Sequence, residues 1–394
     1  MDIHPLVTDT ATLARLMERM RRATFVAIDT EFMRENSYWP ELCLLQVATS
    51  VEAAAIDPKA PGLDLAPFLA LLDDERVLKV FHAGGQDIEI FVALTGRVPQ
   101  PLFDTQVAAM ALGLGEQASY AALVAHYTGH QVDKGARFTD WARRPLTERQ
   151  VHYAIGDVTH LAALFPKMLE QLRTKQRGEW LDEEMARLSD PANYVTVPEE
   201  AWRRLKLPSR KPEVLGRLKA LARWREEEAM ARNLPRGRIL KDETLADLAL
   251  SPPASQAGLA EVRGLSQGWA TNALGARLMQ VLREAQPLAP EEIPPRDDTR
   301  PALPSNGALV ADLLKLLLKI RAREARVAPK LLARSEELEA LAAGQREGLA
   351  IFEGWRREVF GNDALALVEG RLAFAVDRGN LCLRRIAPDA EGPC

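Results

Sequence analysis

The sequence predicts an α/β chain in which a mixed-sheet domain is followed by two all-α helical modules. Three observations lead there. Residues 1–193 alternate short β-like runs with longer helical patterns. Strand signals nearly vanish after Pro198. Prolines at 287, 290, 294, 295, 301 and 304 then separate a pair of helical blocks with an extended, semi-rigid connector. At 394 residues the chain is too long for one ordinary core and suits two or three domains.

Taken in order, HPLVT can be a strand, and Thr8, Asp9 or Thr10 can cap a helix through LARLMERMRR, whose apolar positions recur at three and four. FVAID, LCLLQVAT and EAAAID follow as strands close enough together for an antiparallel meander, stopped by Pro58. FLALLDD is helical, VLKVFHA a strand, and IEIFVALTG a helix after the Gly84-Gly85 break. TERQVHYAIGDVTHLAALF reads as a helix capped by Thr147. The segments EVLGRLKALARWREEEAMARNL, TLADLAL, QAGLAEVRG and ATNALGARLMQVLREA form the first helical block. VADLLKLLLKIRAREA through ALALVEGRLAFAV fills 308–376 as the second, with faint self-similarity between the two.

A composition of 47% hydrophobic and 27% charged residues is that of an ordinary soluble protein. No run approaches the roughly 18 apolar residues of a membrane span, and the N-terminus does not read as a secretory signal. The expectation is a cytoplasmic protein without a membrane partner. Cys43, Cys382 and Cys394 are odd in number and far apart, which favours free thiols over disulfides or a zinc site. The net charge of −4 divides into −8 over 1–193, +5 over 194–290 and −1 over 291–394. An acidic N-terminal region joined to a basic middle suits a metal-binding unit attached to something that touches polyanions; ordinary surface scatter explains it equally well.

Within FVAIDTEFMRE, Asp29 and Glu31 lie two apart, so on a strand they project from one face. Two ionised carboxylates that close repel each other, and a hard divalent cation relieves the repulsion. A lone D-x-E is usually a solvated strand end, so the pair needs partners. Asp87 opens a helix after VLKVFHAGGQ, and Asp157 sits inside an otherwise apolar helix, four residues after Tyr153 and on its face.

DTE at 29–31, HAGGQD ending at Asp87 and YAIGD from Tyr153 to Asp157 resemble the three motifs of the DEDD exonuclease superfamily in its tyrosine-bearing branch. LFDTQVAAMAL and VDKGARFTDWARRPLTERQVHYAIGDV resemble the ribonuclease D family within it. The resemblance implies an RNase H-like mixed-sheet exonuclease domain over 1–190. It implies an HRDC module over 199–286, carried by NLPRGRILKDETLADLA and VRGLS, then a linker at 287–307 and a second, divergent HRDC-like module at 308–376. One departure stands out: Gly135 occupies the position where the family usually carries serine after the lysine.

By that resemblance, Asp29, Glu31, Asp87 and Asp157 hold two divalent ions, Mg²⁺ or Mn²⁺, about 3.5 to 4 Å apart, and Asp29 bridges them. Tyr153 orients the attacking water, since a phenol of pKa about 10 is a poor base at neutral pH. The implied activity is 3′–5′ exoribonucleolytic trimming of RNA with a free 3′ end, such as a tRNA precursor, without an obligate protein partner. A proofreading-type DNA exonuclease and a catalytically idle RNA-binding scaffold are the alternatives. Thr30, Phe32 and His82 are candidate substrate contacts. Phe32 can stack on a base, although strand alternation would aim it away from Glu31, and His82 can touch a phosphate or the ribose. Asp104 can support the site or simply cap the helix TQVAAMAL. The basic groups near Arg203, Arg204, Lys206, Arg210, Lys211, Arg232, Arg236, Arg238 and Lys241 can hold phosphates, whereas Trp202, Trp224 and Trp269 read as packing residues.

Overall fold

The computed structural model describes residues 1–132, 135, 139–294 and 306–386. Most of the DKGARF stretch, the linker from 295 to 305 and Cys394 lie outside the described residues.

The first domain is a six-stranded mixed sheet. Strand β1 (Asp2–Ile3) falls a little earlier than the HPLVT expectation, with only Val7 of that stretch bridging to Ile56. Helix α1 (Thr10–Met20) follows, and of its three candidate caps it uses Asp9, which accepts from the Thr12 amide at 2.9 Å. Strands β2 (Phe25–Met33), β3 (Glu41–Ala48) and β4 (Glu52–Ile56) form the antiparallel meander. Then come α2 (Ala66–Leu72), β5 (Leu78–Phe81), α3 (Gly85–Thr95), β6 (Leu102–Asp104), α4 (Thr105–Leu112), α5 (Tyr120–Thr128) and the long α6 (Glu148–Thr174). The strand order is β1-β4-β3-β2-β5-β6, with β5 parallel to both β2 and β6.

Alternation along β2 divides the core into two layers. Val26 and Ile28 pack with Leu13, Phe68 and Phe91 of α1, α2 and α3, whereas Phe25 and Ala27 pack with Val158, Leu161 and Phe165 of α6. Being central, β2 is apolar on both faces and carries polar side chains only where the layers end.

After α7 (Asp182–Leu188) the described chain is helical until its last strands. The first module comprises α8 (Pro212–Arg232), α9 (Arg236–Ile239), α10 (Asp242–Leu250) and α11 (Ala273–Glu284). Trp202 and Trp224 are buried in it, and Trp269 meets Trp224 edge-on at 6.4 Å, so these indoles pack helices as expected. Arg203, Arg232 and Arg236 are engaged in ion pairs. Arg204, Lys206, Lys211, Arg238 and Lys241 are exposed and in no ion pair among the described residues.

The second module comprises α12 (Gly307–Ala325), α13 (Pro329–Leu332), α14 (Ser335–Ala342), α15 (Gly354–Arg356) and α16 (Asn362–Val368). It repeats a local plan of the first. α8 and α12 each end on a left-handed residue, Asn233 at φ 49° and Arg326 at φ 52°, and each is followed by a one-turn helix and then a short amphipathic one. Residues 372–376, read from sequence as the end of a helical block, are instead strand β7 (Leu372–Asp377), paired with β8 (Asn380–Arg385). The turn explains the difference. Arg378 and Gly379 both adopt positive φ, 48° and 80°, the two-residue geometry whose twist suits a hairpin.

Both modules dock on the sheet domain. Tyr38, in the loop after β2, is buried in the core of the first module, where Asn233 Oδ1 accepts from the Tyr38 and Trp39 amides at 3.1 and 3.0 Å. The Tyr38 hydroxyl donates to Glu226, itself paired with Arg236. For the second module, Trp180 stacks on Trp355 with centroids 4.1 Å apart and planes 6° from parallel. Arg177 donates to the carbonyls of Ala111 at 2.6 Å and Arg326 at 3.0 Å.

Gly113 sits at this seam with φ 75°, and a Cβ there would collide with the Arg326 carbonyl. Because backbone cannot yield as a side chain tip can, Gly113→Ala should destabilise the chain by about 1–3 kcal/mol beyond its conformational strain. Gly62→Ala is the matched control, having φ 78° and open space around it. Thermal unfolding of the two variants measures the difference. Among the described residues no helix is long and apolar enough to cross a membrane, and Cys43 and Cys382 are free thiols.

Candidate active site

The acids gather where β2 runs out of core. Asp29 and Glu31 extend the Phe25/Ala27 face toward α6, and Thr30 extends the Val26/Ile28 face toward α3. Helix α6 is set by a capping box. The Thr147 side chain accepts from the Gln150 amide at 3.2 Å and Gln150 Oε1 from the Thr147 amide at 3.0 Å. Further along α6, Tyr153 and Asp157 share one face. One carboxylate oxygen from each of Asp29, Glu31 and Asp157 can be chosen so that all three lie within 4.8 Å of one another.

Asp87 joins from the other side, in the first turn of α3. Thr30 donates its hydroxyl to Asp87 Oδ1, so the residue between the two strand acids orients the third acid. The loop before α3 is held by Asp104, which accepts from the amides of Ala83 at 3.2 Å and Gly84 at 2.8 Å. The same carboxylate caps α4 by accepting from Gln106 at 2.7 Å. Both readings of Asp104 therefore hold at once.

Electrostatics mark the place. Burial pushes the Asp29 carboxyl well above the usual range, and Asp87, Asp157 and Glu31 push it further. Burial raises Asp87 to about 7, against the pull of the Thr30 hydroxyl and its own backbone amide. The Tyr153 phenol is raised by burial and by Asp157, Glu31 and Asp29, and it hydrogen-bonds the Asp157 side chain. It is therefore a proton donor at neutral pH, not a base.

These groups line a cleft of about 520 Å³. Asp29, Thr30, Phe32, His82, Asp87, Tyr153 and Asp157 all face it; Glu31 meets the site through the carboxylate cluster. Phe32 follows Thr30 on the Val26/Ile28 face, where it packs against that layer and still lines the cleft; the register shift opposite it places its extra residue, Cys43, on β3.

Two further residues belong to the site. Tyr120, on α5, lines the cleft and donates its hydroxyl to the Asp157 carbonyl. Gln46 faces Asp29 across the β2–β3 ladder, fully buried, with neither amide atom bonded. Tyr120 has no local signal in the sequence, since its partner is 37 residues away; Gln46 breaks the apolar run LCLLQVA, a polar interruption that could have been noticed.

The donor set fits a hard cation. It is all carboxylate, partly buried and mutually repulsive, which is the chemistry of a Mg²⁺ or Mn²⁺ site. Comparison with known proteins agrees with this chemistry. A family described as 3′-5′ exonuclease matches residues 5–173, and the HRDC domain matches residues 214–282. Ribonuclease D of Sphingobium indicum is 65% identical over 386 residues, covering 98% of this chain and 100% of that one. Ribonuclease D of Zymomonas mobilis is 59% identical over 387 residues, covering 98% and 99%. The crystal structure of Escherichia coli RNase D, described as an exoribonuclease involved in structured RNA processing, superposes with a TM-score of 0.75 at 30% identity, covering 93% of this chain and 99% of that one. Likeness of this degree, running nearly end to end through both the sheet domain and the helical region, means that the chain belongs to the ribonuclease D family.

Proposed function

We propose that this 3′–5′ exoribonuclease works with two divalent metal ions, Mg²⁺ or Mn²⁺, and trims 3′ extensions of structured RNAs such as tRNA precursors, releasing nucleoside 5′-monophosphates. The observation that carries the reading is the convergence of Asp29, Glu31 and Asp157 within 4.8 Å, with Asp87 pressing on Asp29 from the opposite helix. Asp29, Glu31 and Asp157 would hold one ion, and Asp29 with Asp87 the other. When bound, such ions supply Lewis acidity to the phosphodiester and to water.

The chain's own residues do the rest. Thr30 fixes the rotamer of Asp87, and Tyr120 tethers the α6 backbone at Asp157. Tyr153, protonated and bonded to Asp157, positions the incoming nucleophile without taking its proton. Phe32 offers a face for the terminal base, worth about 1–3 kcal/mol by stacking. The exposed Arg204, Lys206, Lys211, Arg238 and Lys241 give the first module a phosphate-holding surface whose grip weakens with salt. The structured-RNA role described for the Escherichia coli relative supports the substrate class.

The same reading divides the chain into an exonuclease domain at 1–190, an HRDC domain at 199–286, a linker at 287–307 and a divergent HRDC-like domain at 308–376. The shared plan of α8–α10 and α12–α14 supports the last assignment.

The deciding experiment incubates the protein with a 3′-extended tRNA-like RNA and a matched DNA, with and without divalent metal, and identifies the products. Mononucleotides from RNA only in the presence of metal are expected; preference for DNA, or no release, overturns the reading. Tyr153→Phe should lower turnover about 10- to 100-fold through misplacement of the nucleophile. Single-turnover kinetics measures it, and a loss within about twofold removes the positioning role.

A further inference from the structure

We infer that His82 reads a hydroxyl of the terminal ribose, accepting its hydrogen bond on a bare Nε2 that Thr105 holds in place through Nδ1. What enters the cleft follows from the exonuclease reading; the state of the ring follows from hydrogen-bond accounting.

Thr105 Oγ1 lies 3.0 Å from the Phe81 carbonyl oxygen and 3.0 Å from His82 Nδ1. A carbonyl oxygen can only accept, so the single hydroxyl proton of Thr105 goes to Phe81. Its oxygen is then left to accept, and His82 must present Nδ1–H to it. Burial disfavours the imidazolium more than the nearby Asp104 favours it, so the ring is neutral and its other nitrogen is unprotonated.

That nitrogen belongs to a residue lining the same cleft as Asp29, Asp87 and Phe32. His82 is not part of the close carboxylate group of Asp29, Glu31 and Asp157, so the bare nitrogen is not one more ligand of that cluster. A bare nitrogen can only accept, so it has no hydrogen to offer a phosphate oxygen, itself an acceptor. It suits a donor on an uncharged portion of the nucleotide, and the sugar hydroxyls are the donors present on every terminal nucleotide whatever its base. A contact to the sugar leaves every base acceptable. The ring is kept in place by Tyr120, whose ring centroid is 5.3 Å away and whose hydroxyl is anchored on the Asp157 carbonyl. Thr105 is fully buried, so its role is positioning.

The test compares three RNA oligonucleotides that differ only at the last nucleotide: all-ribo, 2′-deoxy and 3′-deoxy. In the wild-type protein, loss of the hydroxyl that His82 reads should lower kcat/KM about three- to tenfold, as expected for one neutral hydrogen bond. Which deoxy end is penalised identifies the hydroxyl. His82→Phe and Thr105→Val should each shrink that gap to within about twofold, while Thr105→Ser, which keeps the acceptor, restores it. ¹⁵N-labelled imidazole in the wild-type protein should show Nδ1 protonated and Nε2 bare near neutral pH, a readout that needs no variant. An Nε2–H tautomer, or equal losses on all three ends in both His82→Phe and Thr105→Val, would overturn the inference. A wild-type protein that releases no nucleotide from any end with divalent metal would instead sink the exonuclease reading, a separate result.

Discussion

Asp29→Asn is expected to abolish RNA trimming and to leave the apo protein no less stable than the wild type. Asp29 is the acid that Glu31, Asp87 and Asp157 all press upon, so its ionised form is the one a bound cation relieves most. Asparagine keeps the shape and removes the charge. Metal assistance contributes several kcal/mol to a phosphoryl-type transition state, and each 1.36 kcal/mol is tenfold, so the loss should reach about 10³-fold or more. The stability has the opposite sign from that of most buried-acid replacements. In the apo protein at neutral pH an ionised Asp29 is a liability, because desolvation and three like charges oppose it. Its amide counterpart should therefore unfold at the same or a higher temperature, and the stabilisation by added Mg²⁺ or Mn²⁺ should largely vanish. Kinetics on a 3′-extended RNA together with thermal melts with and without metal check both halves. Full activity in Asp29→Asn would remove the two-metal proposal.

How far the site could be read from sequence follows from which rules are local. Period-two alternation put Asp29 and Glu31 on one face, and period 3.6 put Tyr153 and Asp157 on another; both are properties of a single element. Thr147 and Asp104 announce helix starts within three residues of themselves, and both are caps. What periodicity cannot say is which faces meet. The Thr30–Asp87 bond spans 57 residues and the Tyr120–Asp157 bond 37, and neither leaves a mark on its own segment. Only the likeness to the DEDD exonucleases brought Asp87 and Asp157 to the same place in advance. Phe32 is a similar case. Alternation puts it with Thr30 on the face away from Glu31, and only the packing of that face beside α3 makes both residues line the cleft. The hairpin at 372–385 escapes the sequence for a different reason. LAFAV carries too little polar alternation to separate strand from buried helix, and the decisive signal is the Arg378-Gly379 turn that follows it.

Metal affinity should rise steeply with pH around neutrality, and the apo protein should lose stability over the same range. The sign follows from the direction of the shifts. Asp29 and Asp87 have folded-state values raised above the roughly 3.9 of an unfolded aspartate, Asp87 to about 7. A group raised in this way favours the fold fully below its unfolded value, and that contribution is lost as pH climbs through the folded one. Apo stability should therefore decline from about pH 4 through about pH 7, and a divalent cation, which replaces the proton as the neutralising charge, should restore it at the alkaline end. Below about pH 7 an ion held by Asp29 and Asp87 must displace the Asp87 proton, so its apparent Kd should weaken up to about tenfold per pH unit for one proton released. Titration calorimetry in buffers of different ionisation enthalpy counts that proton directly. Melts of apo Asp87→Asn should show a shallower pH dependence, since one of the two raised acids has gone. Metal binding equally tight at about pH 5.5 and about pH 8, with no proton released, would mean that Asp29 and Asp87 are not held in the proton-retaining state that their burial requires.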